Sequence, residues 1–211
     1  LSNHPVAEGY YKLAFVLPGC STLVKPGQFY MVRPAPGYDP FLPRPFSVYR
    51  NPVPGQVEIL YKVIGRGTDF LARRRPGEPL EVQGPFGKAF PIPDRKGVGE
   101  ILLVGGGVGV PPLVLLAESL PRYPMTAFIG GRGKVDVLCL DDFERMGVTL
   151  HAATEDGSLG FQGYVTEALE YRLAQVKADG KSRLLYACGP HPMLARIAQI
   201  VSAASIPAYF S

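Results

Sequence analysis

Cysteine is scarce in this sequence. The three cysteines, Cys20, Cys139 and Cys188, are odd in number and far apart, so they form neither a disulfide framework nor a C-x-x-C metal site. Few and unpaired thiols are typical of proteins in reducing compartments. We therefore expect a cytoplasmic protein, and we assign no metal-binding residue.

Long apolar runs and a strong charge of one sign are also missing. The longest uncharged stretch, residues 101–117, contains four glycines and two prolines, whereas a membrane span takes about 20 predominantly apolar residues. The net charge of +4 is modest and evenly spread, which does not indicate nucleic-acid binding. We expect neither a membrane span nor a nucleic-acid partner.

Glycine and proline, by contrast, are abundant, with 25 and 22 copies among 211 residues. Such an excess can accompany disorder, but 46% of the residues are hydrophobic and only 19% are charged, which argues against a disordered chain. The sequence therefore predicts a folded, turn-rich protein with a sizeable core, either one large domain or two small ones.

The first half of the chain has a β-type pattern. Short runs rich in Val, Tyr, Phe and Ile alternate with Pro-Gly and Asn-Pro turns, and this spacing predicts an antiparallel barrel or sandwich. A short helix is predicted at 68–74 with Thr68 as its N-cap. The predicted strands are residues 10–17, 28–32, 46–50, 56–64 and 79–82.

From residue 96 onward, predicted strands alternate with predicted helices, which indicates a mainly parallel sheet with right-handed crossovers. The strands are 100–104, 125–130, 149–153 and 183–188. The helices are one ending at Ser119, a partly helical stretch at 137–146, and 166–178 and 192–204. We place the domain boundary within 91–99. The predicted architecture is an N-terminal antiparallel β-barrel, residues 1–95, followed by an α/β parallel-sheet nucleotide-binding domain, residues 96–211.

Three segments of the second half follow strands and could bind a ligand. The sequence GGGVGV at 105–110 opens a helix, where glycines let a phosphate approach the backbone and the helix N-terminus offers N–H donors; a turn that merely needs glycines explains it nearly as well. Thr154, Asp156 and Ser158 follow the third strand and could offer hydroxyl and carboxylate groups to a ligand, or they belong to a surface loop that leads to a helix capped by Thr166. Cys188 is a nucleophile, a metal ligand or a small packing group, and a nearby His191 does not by itself indicate a hydrolase.

Three segments of the first half offer similar chemistry. In residues 44–47, Arg44 could bind a phosphate, Phe46 could lie against a flat ring and Ser47 could hydrogen-bond a ring nitrogen, although an ordinary strand explains them too. Residues 65–68 could donate to a phosphate ahead of the short helix. Residues 84–87 form a turn or part of a hairpin.

Taken in order, these segments resemble the ferredoxin–NADP reductase superfamily. The motifs RPFS, GRGT, GPFG, GGGVGVPP, TEDGSLG and CGPHPM extend over nearly the whole chain. Within the superfamily the sequence is most similar to the electron transfer subunits of dihydroorotate dehydrogenases, through GGGVGVPPL, DGSLGFQGYVT and YACGPHPML. It is similar also to the reductase subunits of sulphide- or hydrogen-linked dehydrogenases.

The resemblance implies an FAD-dependent NAD(P)H oxidoreductase with a flavin-binding barrel and an NAD(P)-binding domain. It would place Arg44 on the FAD pyrophosphate, Ser47 near the flavin N5 and Cys188 beside the nicotinamide, with Ser47 and Cys188 as the catalytic residues. Phe46 stands where a Tyr is often found. The other implied flavin-binding residues are Pro45, Phe46, Tyr61, Lys62, Val63, Gly67 and Thr68. The implied residues of the nicotinamide nucleotide site are Gly105, Gly106, Gly107, Gly109, Thr154, Asp156, Cys188, Gly189, Pro190 and Met193.

The resemblance also implies a reaction and a partner. Hydride would pass between NAD(H), as substrate, and the bound FAD. In the family's complex, electrons taken from dihydroorotate by an FMN-bearing catalytic subunit reach NAD⁺ through this subunit, in pyrimidine biosynthesis. The family continues into a cysteine-rich segment that holds a [2Fe–2S] cluster. The cysteines at 20, 139 and 188 do not fit that spacing, so we expect a truncated chain.

Two alternatives remain at this point. One is a stand-alone or hydrogenase- or sulphide-linked NAD(P)H:ferredoxin-type reductase, and the other is a cofactor-free interaction module on the same fold. The choice of nucleotide is also open, since Arg132 and Lys134 could grip a 2′-phosphate while Asp141 and Asp142 could favour a free hydroxyl. Our hypothesis is NAD.

Overall fold

The computed structural model describes residues 2–21, 23–35, 42–94, 97–176 and 179–211. Contacts within the chain divide it into two compact units, Leu1–Phe90 and Pro91–Ser211. The predicted boundary, between residues 95 and 96, falls on two residues outside the described ranges. Among the described residues, no helix is both long and apolar enough to cross a membrane.

The first unit is built from antiparallel β-sheet and one short helix. The elements are β1 Ser2–Ala7, β2 Tyr10–Val16, β3 Phe29–Arg33, β4 Arg44–Ser47, β5 Gln56–Lys62, α1 Arg66–Ala72 and β6 Glu81–Phe86. The described strands form two three-stranded sheets, with the orders β1-β2-β5 and β4-β3-β6. The antiparallel prediction is therefore confirmed, although the described hydrogen bonds do not close a single barrel.

Alternating burial explains why these segments form strands. Along β5, Val57, Ile59 and Tyr61 are buried while the intervening residues are partly exposed, as expected for a sheet with one face on a core. Helix α1 begins at Arg66 with Gly65 as N-cap. The prediction of Thr68 as N-cap is therefore wrong, because Thr68 is the third helical residue.

The second unit is a six-stranded sheet in which every neighbouring pair of strands is parallel, which confirms the α/β prediction. The elements are β7 Glu100–Gly106, α2 Pro111–Ser119, β8 Met125–Gly131, α3 Leu140–Arg145, β9 Thr149–Thr154, β10 Phe161–Gln162, α4 Val165–Gln175, β11 Arg183–Cys188, α5 His191–Ala203 and β12 Ala208–Phe210. The strand order is β10-β9-β8-β7-β11-β12. Helix α4 has Tyr164 as N-cap, so the prediction of Thr166 as cap is wrong.

The central strands of this sheet are buried on both faces. Leu102, Val104 and Leu185 belong to one core cluster with Phe128 and Leu169, and such continuous apolar strands are typical of parallel sheets. Because β7 comes first in the chain but lies in the middle, the connections run to one side through β8 and β9 and to the other through β11. The sheet therefore has a topological switch point between β7 and β11, where α/β proteins bind ligands.

Two tyrosines of the second unit hold the segment with which the unit begins. The hydroxyl of Tyr186, a fully buried residue of β11, donates to the carbonyl oxygen of Pro91 at 2.5 Å. The hydroxyl of Tyr123 donates to the carbonyl oxygen of Pro93 at 2.9 Å. Residues 91–93 are thus attached to the second unit by side chains that lie on separate parts of it.

Candidate functional site

The predicted nucleotide-binding segments of the second unit lie at one edge of its sheet. The four central strands end at Cys188, Gly106, Gly131 and Thr154. Register pairs Cys188 with Gly105 and Gly131 with Thr154. The glycine turn, the 154–164 loop and the start of α5 therefore all follow the carboxyl ends of central strands, which is the edge where α/β sheets bind ligands.

The glycines of the first turn do not all have the same role. A Cβ atom on Gly109 would lie 2.3 Å from the carbonyl oxygen of Cys188, and one on Gly106 would lie 2.8 Å from Sδ of Met193. Gly107 has a φ of +53°, and among the described residues no atom beyond its two chain neighbours lies within 4 Å of its Cβ position. Packing therefore requires Gly109, because its neighbours are main-chain atoms, whereas a side chain at Gly106 would displace the flexible Met193. Gly107 faces open space that a phosphate could enter.

Helix α2 itself supplies fewer donors than the sequence indicated. Its first two residues, Pro111 and Pro112, have no N–H, and the N–H of Leu113 donates to the carbonyl oxygen of Val110 at 3.0 Å. An anion here would therefore have to take its hydrogen bonds from the 3₁₀ turn at Gly107–Gly109. Gly105 also has a packing role, because a Cβ there would lie 2.8 Å from Cγ2 of Val110.

Cys188 ends β11 with only 7% of its surface exposed. Burial raises the pKa of its thiol to about 11, although a hydrogen bond with Ser211 opposes this shift. The group is therefore a neutral thiol at neutral pH, whereas nucleophilic catalysis needs a thiolate. His191 is exposed at the first position of α5, after the N-cap residue Pro190. A Cβ on Gly189 would lie 2.5 Å from the methyl carbon of Met193.

Polar groups of the 154–164 loop are mostly engaged with one another. The buried Thr154 hydroxyl donates to the carbonyl oxygen of Leu159 at 2.9 Å and accepts from its N–H at 3.0 Å. Asp156 is exposed, and its Oδ1 accepts from the Ser158 N–H at 2.9 Å and from the Ser158 hydroxyl at 2.6 Å. These bonds lower the pKa of the Asp156 carboxyl. Thr154 therefore holds the loop, while Asp156 presents a charge.

The loop that follows β8 packs against Asp156 and Ser158. The Asp156 N–H donates to the carbonyl oxygen of Arg132 at 3.1 Å, and the Lys134 N–H donates to Oγ of Ser158 at 2.7 Å. A Cβ on Gly133 would lie 2.5 Å from Oδ2 of Asp156. Sequence reasoning did not assign Gly133 to the site, although the motif GGRGK, which spans the end of the second parallel strand and the residues after it, was a usable signal.

The two aspartates considered for nucleotide choice are placed differently from each other. Asp142 is 6% exposed and forms an ion pair with Arg145 within α3. Asp141, its neighbour on the same helix, is exposed. One oxygen of the Asp142 carboxylate is therefore paired within its own helix.

In the first unit, two residues predicted to bind a pyrophosphate come together from different elements. The Arg44 guanidinium, from β4, lies against Gly67 of α1, where a Cβ would be 3.2 Å from both Nε and Nη2. The guanidinium also donates to the carbonyl oxygen of Leu42. Thr68 Oγ1 accepts from the N–H groups of Ile64 and Gly65, at 3.0 and 3.2 Å. A cation and a glycine thus form a cradle that fits an anionic group.

The side chains predicted to run along a flat ring are less accessible. Tyr61 is 2% exposed and donates to Oδ1 of Asn3 at 3.1 Å, and burial raises its pKa. The Lys62 ammonium lies 4.9 Å from the centre of the Tyr10 ring. Any ligand contact by Tyr61 must therefore come mainly from its main chain. Phe46 is half-buried with its ring 5.6 Å from that of Tyr61, in an edge contact. Half-buried residues also include Ser47 and Val63, whereas Pro45 is exposed.

Comparison with solved structures identifies the class of protein. An NADH-dependent reduced ferredoxin–NADP oxidoreductase matches with a TM-score of 0.83 and 26% identity, over 100% of this chain and 74% of that chain. The ferredoxin–NADP⁺ reductase of Plasmodium falciparum matches with a TM-score of 0.77 and 14% identity, over 100% and 94% of the two chains. The fold is that of the ferredoxin–NADP reductases, as predicted.

Curated relatives define the family within that class. The dihydroorotate dehydrogenase B (NAD(+)) electron transfer subunit of Desulforamulus reducens is 34% identical over 212 residues, which cover 98% of this chain and 78% of that protein. The subunit of the same name in Bacillus caldolyticus is 38% identical over 201 residues, 94% and 76% of the two. No family model matches the sequence. The chain belongs to the family of dihydroorotate dehydrogenase B electron transfer subunits, which confirms the resemblance.

Among the described residues, no group of three or more His, Cys, Asp or Glu side chains could hold a metal ion. None of the three cysteines forms a disulfide bond; Cys20 and Cys139 are partly exposed and Cys188 is buried. These three residues do not form the ligand set of an iron–sulphur cluster.

Proposed function

We propose that this chain is an FAD-dependent oxidoreductase subunit that passes electrons between NAD(H) and the catalytic subunit of a dihydroorotate dehydrogenase, in pyrimidine biosynthesis. The shared family supports this function, since the relatives carry it in their names. The structural observation that carries the proposal is the open turn at Gly107, beside the end of β11 at the switch point of the sheet. An open, donor-bearing turn at this position suits the pyrophosphate of a dinucleotide.

In the first part of the chain, residues 1–95 in our proposal, the Arg44–Gly67 cradle would hold the FAD pyrophosphate. Thr68 keeps the turn before α1 closed through its two accepted hydrogen bonds. Phe46 would offer a ring face, and the Ser47 hydroxyl would donate to N5 of the ring system. Bound flavin supplies the ability to exchange electrons in pairs with nicotinamide and singly with other centres.

In the second part, residues 96–211, the 3₁₀ turn at Gly107–Gly109 would bind the NAD(H) pyrophosphate. Cys188 would pack beside the nicotinamide as a neutral group, because its raised pKa keeps the proton on sulphur. A small apolar thiol there excludes water and leaves the ring free to react at its C4. Protein groups thus contribute binding and orientation, which can account for much of a rate enhancement.

The partner is the catalytic dihydroorotate dehydrogenase subunit, and we propose that it carries FMN. The relatives are electron transfer subunits of dihydroorotate dehydrogenase B, which supports a catalytic partner subunit. The cytoplasmic location indicated by cysteine usage remains a prediction. A second candidate, a stand-alone NAD(P)H:ferredoxin-type reductase, is favoured by the 26% identity to an NADH-dependent ferredoxin–NADP oxidoreductase. Co-purification with the catalytic subunit distinguishes the two.

The test compares two glycines that share a backbone conformation. Gly107 and Gly147 have φ values of +53° and +71°, and in the part of the chain that the structure describes neither has an atom within 4 Å of its Cβ position, its chain neighbours apart. Alanine at either position costs a similar ~1 kcal/mol of stability. Only Gly107→Ala is expected to weaken NADH binding, by about 10-fold or more, because its methyl group enters the space assigned to phosphate.

The measurements are flavin content, anaerobic flavin reduction by NADH, and dihydroorotate-dependent NAD⁺ reduction with the catalytic subunit added. We expect wild-type protein to retain FAD and to support both reactions. Equal NADH affinities in the two alanine variants would refute the nucleotide site, and a flavin-free wild-type protein would refute the assignment altogether.

A further inference from the structure

No acidic residue ends β8, although dinucleotide-binding sheets usually place one there. In such sheets an acidic residue at the end of the second strand accepts a hydrogen bond from the 2′-hydroxyl of the adenosine ribose. Here β8, the second strand of the sheet along the chain, ends at Gly131 and is followed by Arg132, Gly133 and Lys134. The end of the strand therefore carries glycines and cations, and the first carboxylate further along the loop is that of Asp136.

A carboxylate reaches this position from the next strand instead. Asp156, two residues beyond the end of β9, has Oδ2 so close to Gly133 that a Cβ there would be 2.5 Å away. Its main-chain N–H donates to the carbonyl oxygen of Arg132. Main chain and side chain of Asp156 thus both lie on the loop that follows β8.

Hydrogen bonds with Ser158 fix the orientation of this carboxylate. Its Oδ1 accepts two hydrogen bonds from Ser158, and Ser158 Oγ accepts one from the Lys134 N–H. The same bonds lower the pKa of the carboxyl, so that it is ionised at neutral pH. With Oδ1 committed to the loop, Oδ2 is the oxygen that faces Gly133.

We propose that Asp156 is the residue that selects NADH over NADPH, by accepting a hydrogen bond from the ribose 2′-hydroxyl at Oδ2 and repelling a 2′-phosphate. This inference rests on the proposed nucleotide site and assigns its specificity. Arg132 and Lys134, both exposed on the same loop, would otherwise favour a 2′-phosphate. The carboxylate therefore weakens the binding of NADPH as well as strengthening the binding of NADH.

Another carboxylate of this loop provides the matched comparison. Asp136 ends the short 3₁₀ turn at Lys134–Asp136, and its Cβ and main chain pack over Gly131, 2.7 and 2.9 Å from a Cβ placed there. It has the same charge and lies on the same loop as Gly133. If general negative charge near the loop sets specificity, Asp136→Asn should act like Asp156→Asn.

The experiment measures equilibrium binding of two probes, 5′-AMP and adenosine 2′,5′-bisphosphate, by calorimetry. Both probes lack nicotinamide, so they report on the adenosine end of the site independently of flavin chemistry. Wild-type protein should prefer 5′-AMP. Asp156→Asn should bind 5′-AMP about 10-fold more weakly, the loss expected for a charge-assisted hydrogen bond, and should bind the bisphosphate more tightly. The preference should therefore shift by more than about 10-fold, with Asp136→Asn within about 2-fold of wild type.

The outcomes separate this inference from the proposed function. An unchanged preference in Asp156→Asn, or an equal shift in Asp136→Asn, would overturn the role of Asp156 while leaving the nucleotide site in place. Equal weakening of both probes in Asp156→Asn would also overturn it, because a merely structural role lowers both affinities together. Absence of NADH and 5′-AMP binding by wild-type protein would overturn the proposed nucleotide site, and the inference with it.

Discussion

Replacing Gly109 by alanine tests whether the glycine turn exists for packing or for ligand binding. The added Cβ would lie 2.3 Å from the carbonyl oxygen of Cys188, 2.5 Å from its carbonyl carbon and 2.7 Å from Cα of Gly189. All three neighbours are main-chain atoms, so no side chain can rotate to make room. The turn and the end of β11 would have to separate.

The size of the effect follows from that separation. Overpacking a well-filled interior costs typically 1–3 kcal/mol, and the rigid neighbours of Gly109 place this substitution near ~3 kcal/mol. By contrast, Gly107→Ala meets no neighbour and should cost only ~1 kcal/mol, the penalty for a left-handed backbone. In a unit of this size, a loss of ~3 kcal/mol lowers the melting temperature by roughly 10 °C.

Urea unfolding, followed by circular dichroism and by hydrogen exchange of the α2 and β11 peptides, gives the free energy of unfolding of the second unit. We expect Gly109→Ala to be the less stable variant and Gly107→Ala to be the weaker NADH binder. If Gly109→Ala were as stable as wild type and defective only in NADH binding, the packing explanation would be refuted.

Two further predictions concern buried polar groups. The hydroxyl of Tyr30 is buried without a hydrogen-bond partner among the described residues, so Tyr30→Phe should be neutral or should stabilise the protein by up to ~1 kcal/mol. Tyr186→Phe loses its hydrogen bond to Pro91 and should lower the free energy of unfolding, measured in urea, by ~1 kcal/mol. The opposite order of stability for the two variants would contradict both assignments. Burial, and then the charge of Arg172, lower the pKa of His151 below its usual 6.5. Because the unfolded chain then takes up a proton that the folded chain does not, the free energy of unfolding should fall as pH drops below 6.5. His151→Phe should reduce this dependence on pH. If the free energy of unfolding changed equally with pH in wild type and His151→Phe between pH 7 and 5, the prediction would be contradicted.

The sequence predicted the elements that carry strong apolar patterns. Strands β7 and β11 read directly as buried parallel strands because ILLV and LLYA are continuous apolar runs. Strand β1 was missed, since SNHPVA has no β-type run and becomes a strand only by pairing with β2. Strands β10 and β12 have only two and three residues, too few for a periodicity.

The candidate site shows a different limit. The motifs placed the glycine turn, the 154–164 loop and Cys188 at one edge of the sheet, because strand order and chain direction follow from the β-α alternation. The motifs could not show that Gly107 and Gly109 have different roles, because the neighbour that excludes a Cβ at Gly109 is Cys188, which is distant in sequence. Nor could they show that Asp156 lies beside Gly133, because that contact depends on the shapes of two loops.

The tyrosine hydroxyls at 123 and 186 have a practical consequence for dissecting the chain. A fragment of the second unit that starts at residue 96 would leave both phenols without their carbonyl acceptors, and one of them belongs to a residue at the centre of the fold. Starting at Pro91 or earlier preserves both bonds. Peptide-bond cleavage ahead of Pro91 should accordingly release a stable piece, while cleavage after Pro93 should loosen β11 from within.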